Sequence, residues 1–484
     1  MTEPTIYELS SPGRAGVSLP ALDVDPSTFP PALVRTELPL PQLSESDTVR
    51  HFLRLSQLNY AVDKGFYPLG SCTMKYNPKI NEDTARLPGF AFVHPLQDPE
   101  TAQGCLALMF QLQGWLSEIS GLAAVSLQPA AGAHGELTGV LMIRAYHRDR
   151  GQENRRRMLI PNSAHGTNPA SVAMAGMEAV EVPSDANGNI DLAELQTLCD
   201  DTVAGLMLTN PNTLGLFEEN ILAVAEAVHG CGGLLYGDGA NLNALLGIVR
   251  PGDLGFDVMH FNLHKTFSTP HGGGGPGSGP VGAAAKLADF LPAPVVTKIE
   301  AGNDEDPPLY GFRSPGKTIG RMRAFNGNFG ILVRAATYIR MLGADGLRQV
   351  AETAVLNANY LRALLKDTYK ISHERTCMHE FVAEGRWADA PGVGAGDIAK
   401  RLIDYGVHPP TVKFPLIVPD ALMIEPTETE SKQTLDSFAD AMKKIAEEAH
   451  THPELLHEAP HNTPVGRLDE VRAAKQPILT GKLT

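Results

Sequence analysis

The sequence predicts an α/β fold: a mostly parallel central sheet covered on both faces, a smaller C-terminal α/β domain, and an extended N-terminal arm. Three observations predict it. Short apolar runs alternate with helical stretches between 101 and 290, and a glycine- and proline-rich stretch at 272–318 interrupts the pattern. Small or polar residues stand at the end of one apolar run after another, which is where ligands gather in such sheets. The division that follows is an arm over 1–100, a large domain over 101–320, a small domain over 321–452 and an extended tail over 453–484.

Taken in order, residues 1–100 are rich in proline and turn-formers, as in Ser10-Ser11-Pro12-Gly13 and Thr28-Phe29-Pro30-Pro31, with one expected helix at 47–60. Such an arm wraps another surface, of its own domain or of a partner. Leu108, Leu112, Trp115, Leu116 and Ile119 recur at helical spacing, and 123–127 reads as the first strand. Further strands are expected at 158–160, 179–182, 203–209, 233–238, 258–261 and 279–282, with helices at 135–149, 191–199 and 220–230. The stretch 272–318 reads as loop or linker. Helices at 325–342 and 344–367, strands at 378–383 and 421–425 and a helix at 430–449 make the small domain. There is no repeat at solenoid periods.

Composition excludes several function classes. The chain has 484 residues, 43% apolar and 20% charged, which suits a folded protein of two or three domains and excludes wholesale disorder. A net charge of −15 argues against a nucleic-acid partner, and the one dense basic run, Arg155-Arg156-Arg157, reads as a solvated junction before an apolar segment. Cys72, Cys105, Cys199, Cys231 and Cys377 stand singly with no CxxC pair, so reduced thiols are expected rather than disulfides or a metal site. Residues 1–17 lack a secretory pattern, and no run approaches the roughly 18 apolar residues of a membrane span. A cytoplasmic protein is expected.

Chemistry concentrates at the strand ends. Pro129-Ala130-Ala131-Gly132-Ala133-His134-Gly135-Glu136 follows the first strand and opens a helix. Its small residues and free N–H groups suit a phosphate, although a plain tight connection reads the same way. Ser163-Ala164-His165-Gly166-Thr167 brings an imidazole able to stack on a flat ring, or simply a hydrogen-bonded loop histidine. Thr209-Asn210-Pro211-Asn212-Thr213 offers short polar groups or an Asx turn. In Tyr236-Gly237-Asp238-Gly239-Ala240-Asn241 the aspartate suits a protonated pyridine nitrogen, or a helix cap. In Phe261-Asn262-Leu263-His264-Lys265-Thr266 a lysine follows a strand directly, as a Schiff-base lysine would; its place at the end of this ordered series sets it apart from a surface lysine. The run at 271–279 lacks the Gly-Lys-[Ser/Thr] ending of a nucleotide loop and reads as a close-packed turn near a ligand or as a subunit contact.

The segments LGSCTMKYNP (69–78), SAHGTNPASVAMAGM (163–177), GLFEEN (215–220), DGANLNA (238–244), LHKTFSTPHGGGGPGSGP (263–280), VLNANY (355–360), DYGVHPPT (404–411) and MIEPTETES (423–431) together resemble the P-protein of the glycine cleavage system, over nearly the whole chain. The resemblance implies a fold-type I, aminotransferase-like enzyme dependent on pyridoxal 5'-phosphate. It implies the lysine-bearing subunit 2, or beta, of a divided enzyme, paired with a lysine-free subunit 1, or alpha, as α2β2. The implied reaction is decarboxylation of glycine, with the aminomethyl group passing to the lipoyl arm of H-protein and release of carbon dioxide. Lys265 would hold the cofactor, Asp238 would face its ring nitrogen, and His165 would stack on the ring with a proton-transfer role as a lesser possibility. Ala131, Gly132, Ala133 and His264 are candidates for the phosphate cradle, Thr213 or Asn212 for the phenolic oxygen, and Ala240 for the opposite ring face. Ser71-Cys72-Thr73-Met74-Lys75 is either an arm reaching the active-site mouth or structural packing. The alternatives are another decarboxylase or an aminotransferase of the same fold, the latter drawing on Arg313, Arg321 or Arg323 for a substrate carboxylate, and a non-catalytic scaffold subunit.

Overall fold

The computed structural model describes residues 3–270, 276–299 and 307–479. The central sheet has seven strands: β1 (Ala124–Ser126), β2 (Arg157–Pro161), β3 (Glu178–Val182), β4 (Val203–Thr209), β5 (Leu234–Gly239), β6 (Val258–Phe261) and β7 (Val281–Ala283). Their order is β1-β7-β6-β5-β4-β2-β3. Neighbours from β6 through β3 pair in parallel, whereas β7 runs antiparallel to both β6 and β1. The inner parallel strands β4, β5 and β6 are buried almost throughout because both their faces are covered, whereas the edge strand β3 is largely exposed. Alternate residues serve opposite faces: Met158, Ile160 and Tyr236 pack with Val140 and Ile143 of the helix Gly132–Asp149, while Leu159 and Leu235 pack with Val224 and Val228 of the helix Ile221–Gly230.

One helix lies unusually close to the sheet. Gly132, Gly135 and Gly139 form a single stripe on the helix Gly132–Asp149. A Cβ at Gly139 would sit 2.3 Å from Cε2 of Tyr236, one at Gly135 2.8 Å from Cβ of His260, and one at Gly132 2.8 Å from the Asn262 amide. Only hydrogen in place of a side chain allows the helix to approach β5 and β6 this closely, and its first turn is thereby delivered to their carboxyl ends.

The stretch 272–318, expected as linker, carries an antiparallel strand pair, β8 (Val295–Ile299) and β9 (Leu309–Arg313). Only Val295 and Val296 of β8 are buried, so the segment has no alternation to reveal it, and its pairing partner is non-local. The first half of the glycine run, 271–275, lies outside the described residues. The two helices expected around 343 lie end to end within Phe329–Leu365, interrupted at Gly343 with φ 62° and ψ −171°. Beyond them, β10 (Phe381–Glu384), β11 (Thr411–Val412) and β12 (Ala421–Ile424) form an antiparallel sheet in the order β10-β12-β11. Phe381, Leu422 and Ile424 pack with Phe438, Met442 and Ile445 of the helix Lys432–Thr451. The segment after Phe66 joins this small sheet: Leu69 bridges to Ile424, and the Gly70 N–H donates to the Met423 carbonyl at 3.3 Å.

Met1–Gly65 together with Glu458–Thr484 forms a separate compact unit. Within it, Ser44 caps the helix Glu45–Leu58, and Glu3 binds His51 and Arg54 of that helix at 3.1 and 2.7 Å. No helix among the described residues is long and apolar enough to cross a membrane.

The glycine stripe yields a direct expectation. Gly139→Ala forces a methyl group into the Tyr236 ring and should cost about 1–3 kcal/mol, read as a lowered midpoint in urea unfolding. A midpoint equal to that of the unmodified chain would show that the helix can lift away freely.

Candidate active site

The carboxyl ends of β4, β5 and β6 and the N-terminus of the helix Gly132–Asp149 enclose a cavity of about 200 Å³. Nine of the ten candidate residues line it: Gly132, Ala133, His165, Asn212, Thr213, Asp238, Ala240, His264 and Lys265. Ala131 does not; it is the N-cap residue, and its carbonyl accepts from the Gly135 N–H at 2.9 Å. Among the described residues no side chain caps this helix, so its first N–H groups remain available to an anion at the cavity wall. Asn262 and Thr209 also line the cavity, and the buried Asn262 Oδ1 and Thr209 Oγ1 have no partner among the described residues. His264 Nδ1 accepts from the Ser278 N–H at 3.1 Å.

Asp238 is the penultimate residue of β5 and is buried. Burial alone would raise its carboxyl, yet neighbouring groups more than offset this and hold it below the usual carboxylate range. His260 Nε2 lies 3.5 Å away, but burial keeps that imidazole neutral. The ionised carboxylate is therefore sustained by the Ala240 N–H at 3.0 Å, the Asn168 amide at 3.2 Å and the Lys265 ammonium. Glu136, from the second turn of the glycine-striped helix, approaches the same end of the cavity. Its carboxyl contacts Thr167 Oγ1 at 2.8 Å and Ser171 Oγ at 3.2 Å, and burial followed by the Asp238 charge pushes it up to about 7. Burial also lowers His165, whose Nδ1 lies 2.8 Å from Thr167 Oγ1 and whose ring meets Phe414 edge-on at 5.4 Å.

Two candidates carry other duties. The Asn212 amide is spent on its own turn, accepting from Leu214 N–H and Leu216 N–H and donating to the Gly188 carbonyl. Thr213 Oγ1 donates to the Ser163 carbonyl at 2.5 Å.

The segment Ser71 to Lys75 reaches the cavity. Lys265 Nζ donates to the Ser71 carbonyl at 2.6 Å, and the Ser71 N–H donates to Glu380 at 2.8 Å. Ser71 has φ 65°, a left-handed conformation that a serine adopts only when its surroundings impose it. Thr73 Oγ1 and Asn241 Nδ2 each donate to Glu425 at 2.8 Å, and the buried Lys75 pairs with Glu428 at 2.8 Å. Burial pushes the Cys72 thiol up, which disfavours a reactive thiolate there.

The sequence reading missed His379, Glu380 and Glu425. Their nitrogen and oxygen atoms lie within 4.8 Å of one another, all buried, just before β10 and just after β12. The available signal was a His-Glu pair set directly against an apolar strand. Burial pushes Glu380 up to about 8 and Glu425 to about 7, and lowers His379 to about 3.

Comparison with known proteins fixes the lineage. A family model described as glycine cleavage system P-protein matches residues 27–390, and one described as glycine dehydrogenase, C-terminal domain, matches 350–463. The chain belongs to the glycine cleavage system P-protein family. A probable glycine dehydrogenase (decarboxylating) subunit 2 from Caldanaerobacter subterraneus subsp. tengcongensis is 58% identical over 481 residues, covering 98% of both chains. One from Thermococcus onnurineus is 55% identical, covering 99% of this chain and 96% of that relative. Among solved structures, an inhibitor-bound glycine decarboxylase (P-protein) aligns with a TM-score of 0.74 at 22% identity, over 86% of this chain and 93% of that one. A glutamate decarboxylase from Lactobacillus brevis aligns at 0.64 with 14% identity, over 90% and 96%. The fold is that of the fold-type I pyridoxal-phosphate enzymes, and the donor set suits that cofactor: an uncapped helix start for a phosphate, an ionised buried carboxylate, orphaned polar atoms and a lysine in one cavity.

Glu380 gives a pH expectation. Its proton is held up to about pH 8 in the folded chain but only to about 4.5 when unfolded, so its contribution to stability is full below 4.5 and is lost as pH rises through 8. Glu380→Gln, which can still accept from Ser71, should flatten the fall in melting temperature between those limits. An unchanged slope would place the titration elsewhere.

Proposed function

We propose that this cavity is the active site of a glycine-decarboxylating P-protein subunit, with Lys265 as the cofactor-bearing lysine. The observation that carries the reading is the convergence of Lys265, Asp238, His165 and the open helix start on one cavity, in a chain of this family. Bound pyridoxal phosphate supplies an electron sink for the pair released when glycine loses its carboxylate.

The chain's own residues would do the rest. Gly132 and Ala133 N–H groups at the helix start would receive the phosphate, with Asn262 and His264 beside them. Asp238, ionised and dry, would hold a proton on the ring nitrogen. His165, uncharged through burial, suits stacking against a ring rather than supplying a charge. Ser71 holds the Lys265 ammonium at 2.6 Å, so the lysine is aimed before any ligand arrives. The Ser71 to Lys75 segment, seated on Glu380 and Glu425, would also limit water around the departing carboxylate.

The relatives at 55–58% identity are named as subunit 2, and this chain spans nearly their full length. A companion subunit 1 is therefore the expected partner, assembled as α2β2, and the lipoyl arm of an H-protein the expected acceptor of the aminomethyl group. The cytoplasm is the expected compartment.

The test is glycine-dependent exchange of labelled bicarbonate by the chain with its companion subunit, stimulated by lipoylated H-protein. Lys265→Ala should bring the exchange to background, and borohydride should fix the cofactor on the Lys265 peptide of the unmodified chain alone. Exchange that survives Lys265→Ala, or fixation on another lysine, would overturn the assignment.

A further inference from the structure

We infer that Glu136 is a positioning residue held as a neutral carboxylic acid: it donates its proton to Thr167, whose hydroxyl donates to Nδ1 of His165, so that His165 keeps its proton on Nε2. What this means for a bound cofactor rests on the function proposed above; the proton itself does not.

The argument is a count of hydrogens. Thr167 Oγ1 lies 2.8 Å from Glu136 Oε1 and 2.8 Å from His165 Nδ1, and a hydroxyl has one proton to share between them. The Thr167 backbone N–H also donates to His165 Nδ1 at 3.2 Å, so Nδ1 is an acceptor and carries no proton of its own. The hydroxyl proton therefore completes the contact to Nδ1. The contact to Glu136 then requires a proton from the carboxyl side. An ionised Glu136 would instead set lone pair against lone pair at one of the two contacts.

The surrounding charges point the same way. Ligand atoms of Glu136, Asp238 and His260 lie within 4.8 Å of one another, and all three residues are buried. Two carboxylates so close do not both ionise without a cation between them. Tyr236, on the same sheet face, is held protonated by burial and binds His260 Nδ1 at 2.7 Å, and burial keeps His260 neutral. Ser171 and Asn168, from the helix Thr167–Met174, are uncharged. Lys265 acts on Asp238. Asp238, with the Ala240 N–H, therefore keeps the charge and Glu136 keeps the proton. Burial pushes Glu136 up to about 7, in agreement.

The first test uses the full-length chain without cofactor. Isotope-edited infrared spectra at neutral pH should show a carboxylic-acid carbonyl band that is absent from Glu136→Gln; if the substitution removes only carboxylate bands, the proposal fails. The second is equilibrium affinity for pyridoxal 5'-phosphate. Glu136→Gln keeps an uncharged donor toward Thr167 and should stay within about threefold of the unmodified chain, whereas Thr167→Val and Glu136→Ala should each lose about tenfold. A glutamine variant as weak as Glu136→Ala would show that the charge matters and the relay does not. Thr167→Val at full affinity would equally overturn it. A chain that binds no cofactor at all would contradict the proposed function, and the infrared result would still decide where the proton is.

Discussion

The constraint on which the site depends is one negative charge, on Asp238, kept ionised at the dry end of a strand covered on both faces. A carboxylate there loses its hydration, and the structure supplies hydrogen bonds from Ala240 and Asn168 in its place. Its neighbours are accordingly neutral: His260 and His165 are lowered by burial, and Tyr236 is raised. A second negative charge at that end would compete with the first, whereas the Lys265 ammonium supports it.

The glycine stripe at 132, 135 and 139 serves the same end by geometry. It lets the helix settle onto β5 and β6 so that its N-terminal end, with the open N–H groups of the first turn and Glu136 of the second, arrives beside Asp238. The open N–H groups and the Glu136 carboxyl are thus placed by one packing contact, and a side chain at any of the three positions would move both.

Much of the large sheet was legible because its strands announce themselves. The runs at 203–209 and 258–261 coincide with β4 and β6, since a strand buried on both faces needs an unbroken apolar run. The polar residues ending those runs had no packing reason to be there, and nine of the ten candidates line one cavity. What stayed hidden depends on distant pairing or on shared use of an atom. The β8–β9 pair lacks a buried face along most of its length. Asn212 looked available until its amide was seen closing its own turn. Glu380 and Glu425 are invisible as site residues because only the pairing of β10 with β12 brings them to the Ser71 segment.

That segment gives the small sheet a mechanical hold on the lysine. From Glu380, one hydrogen bond reaches the Ser71 N–H and a second runs from Lys265 to the Ser71 carbonyl, across a single peptide-length lever in a left-handed twist. The lysine is thereby tied to Glu380 through the two backbone groups of Ser71. A loosening of the small sheet, however far from the cavity it begins, arrives at the amine as a change of aim, so the stability of that sheet and the readiness of the lysine are one property.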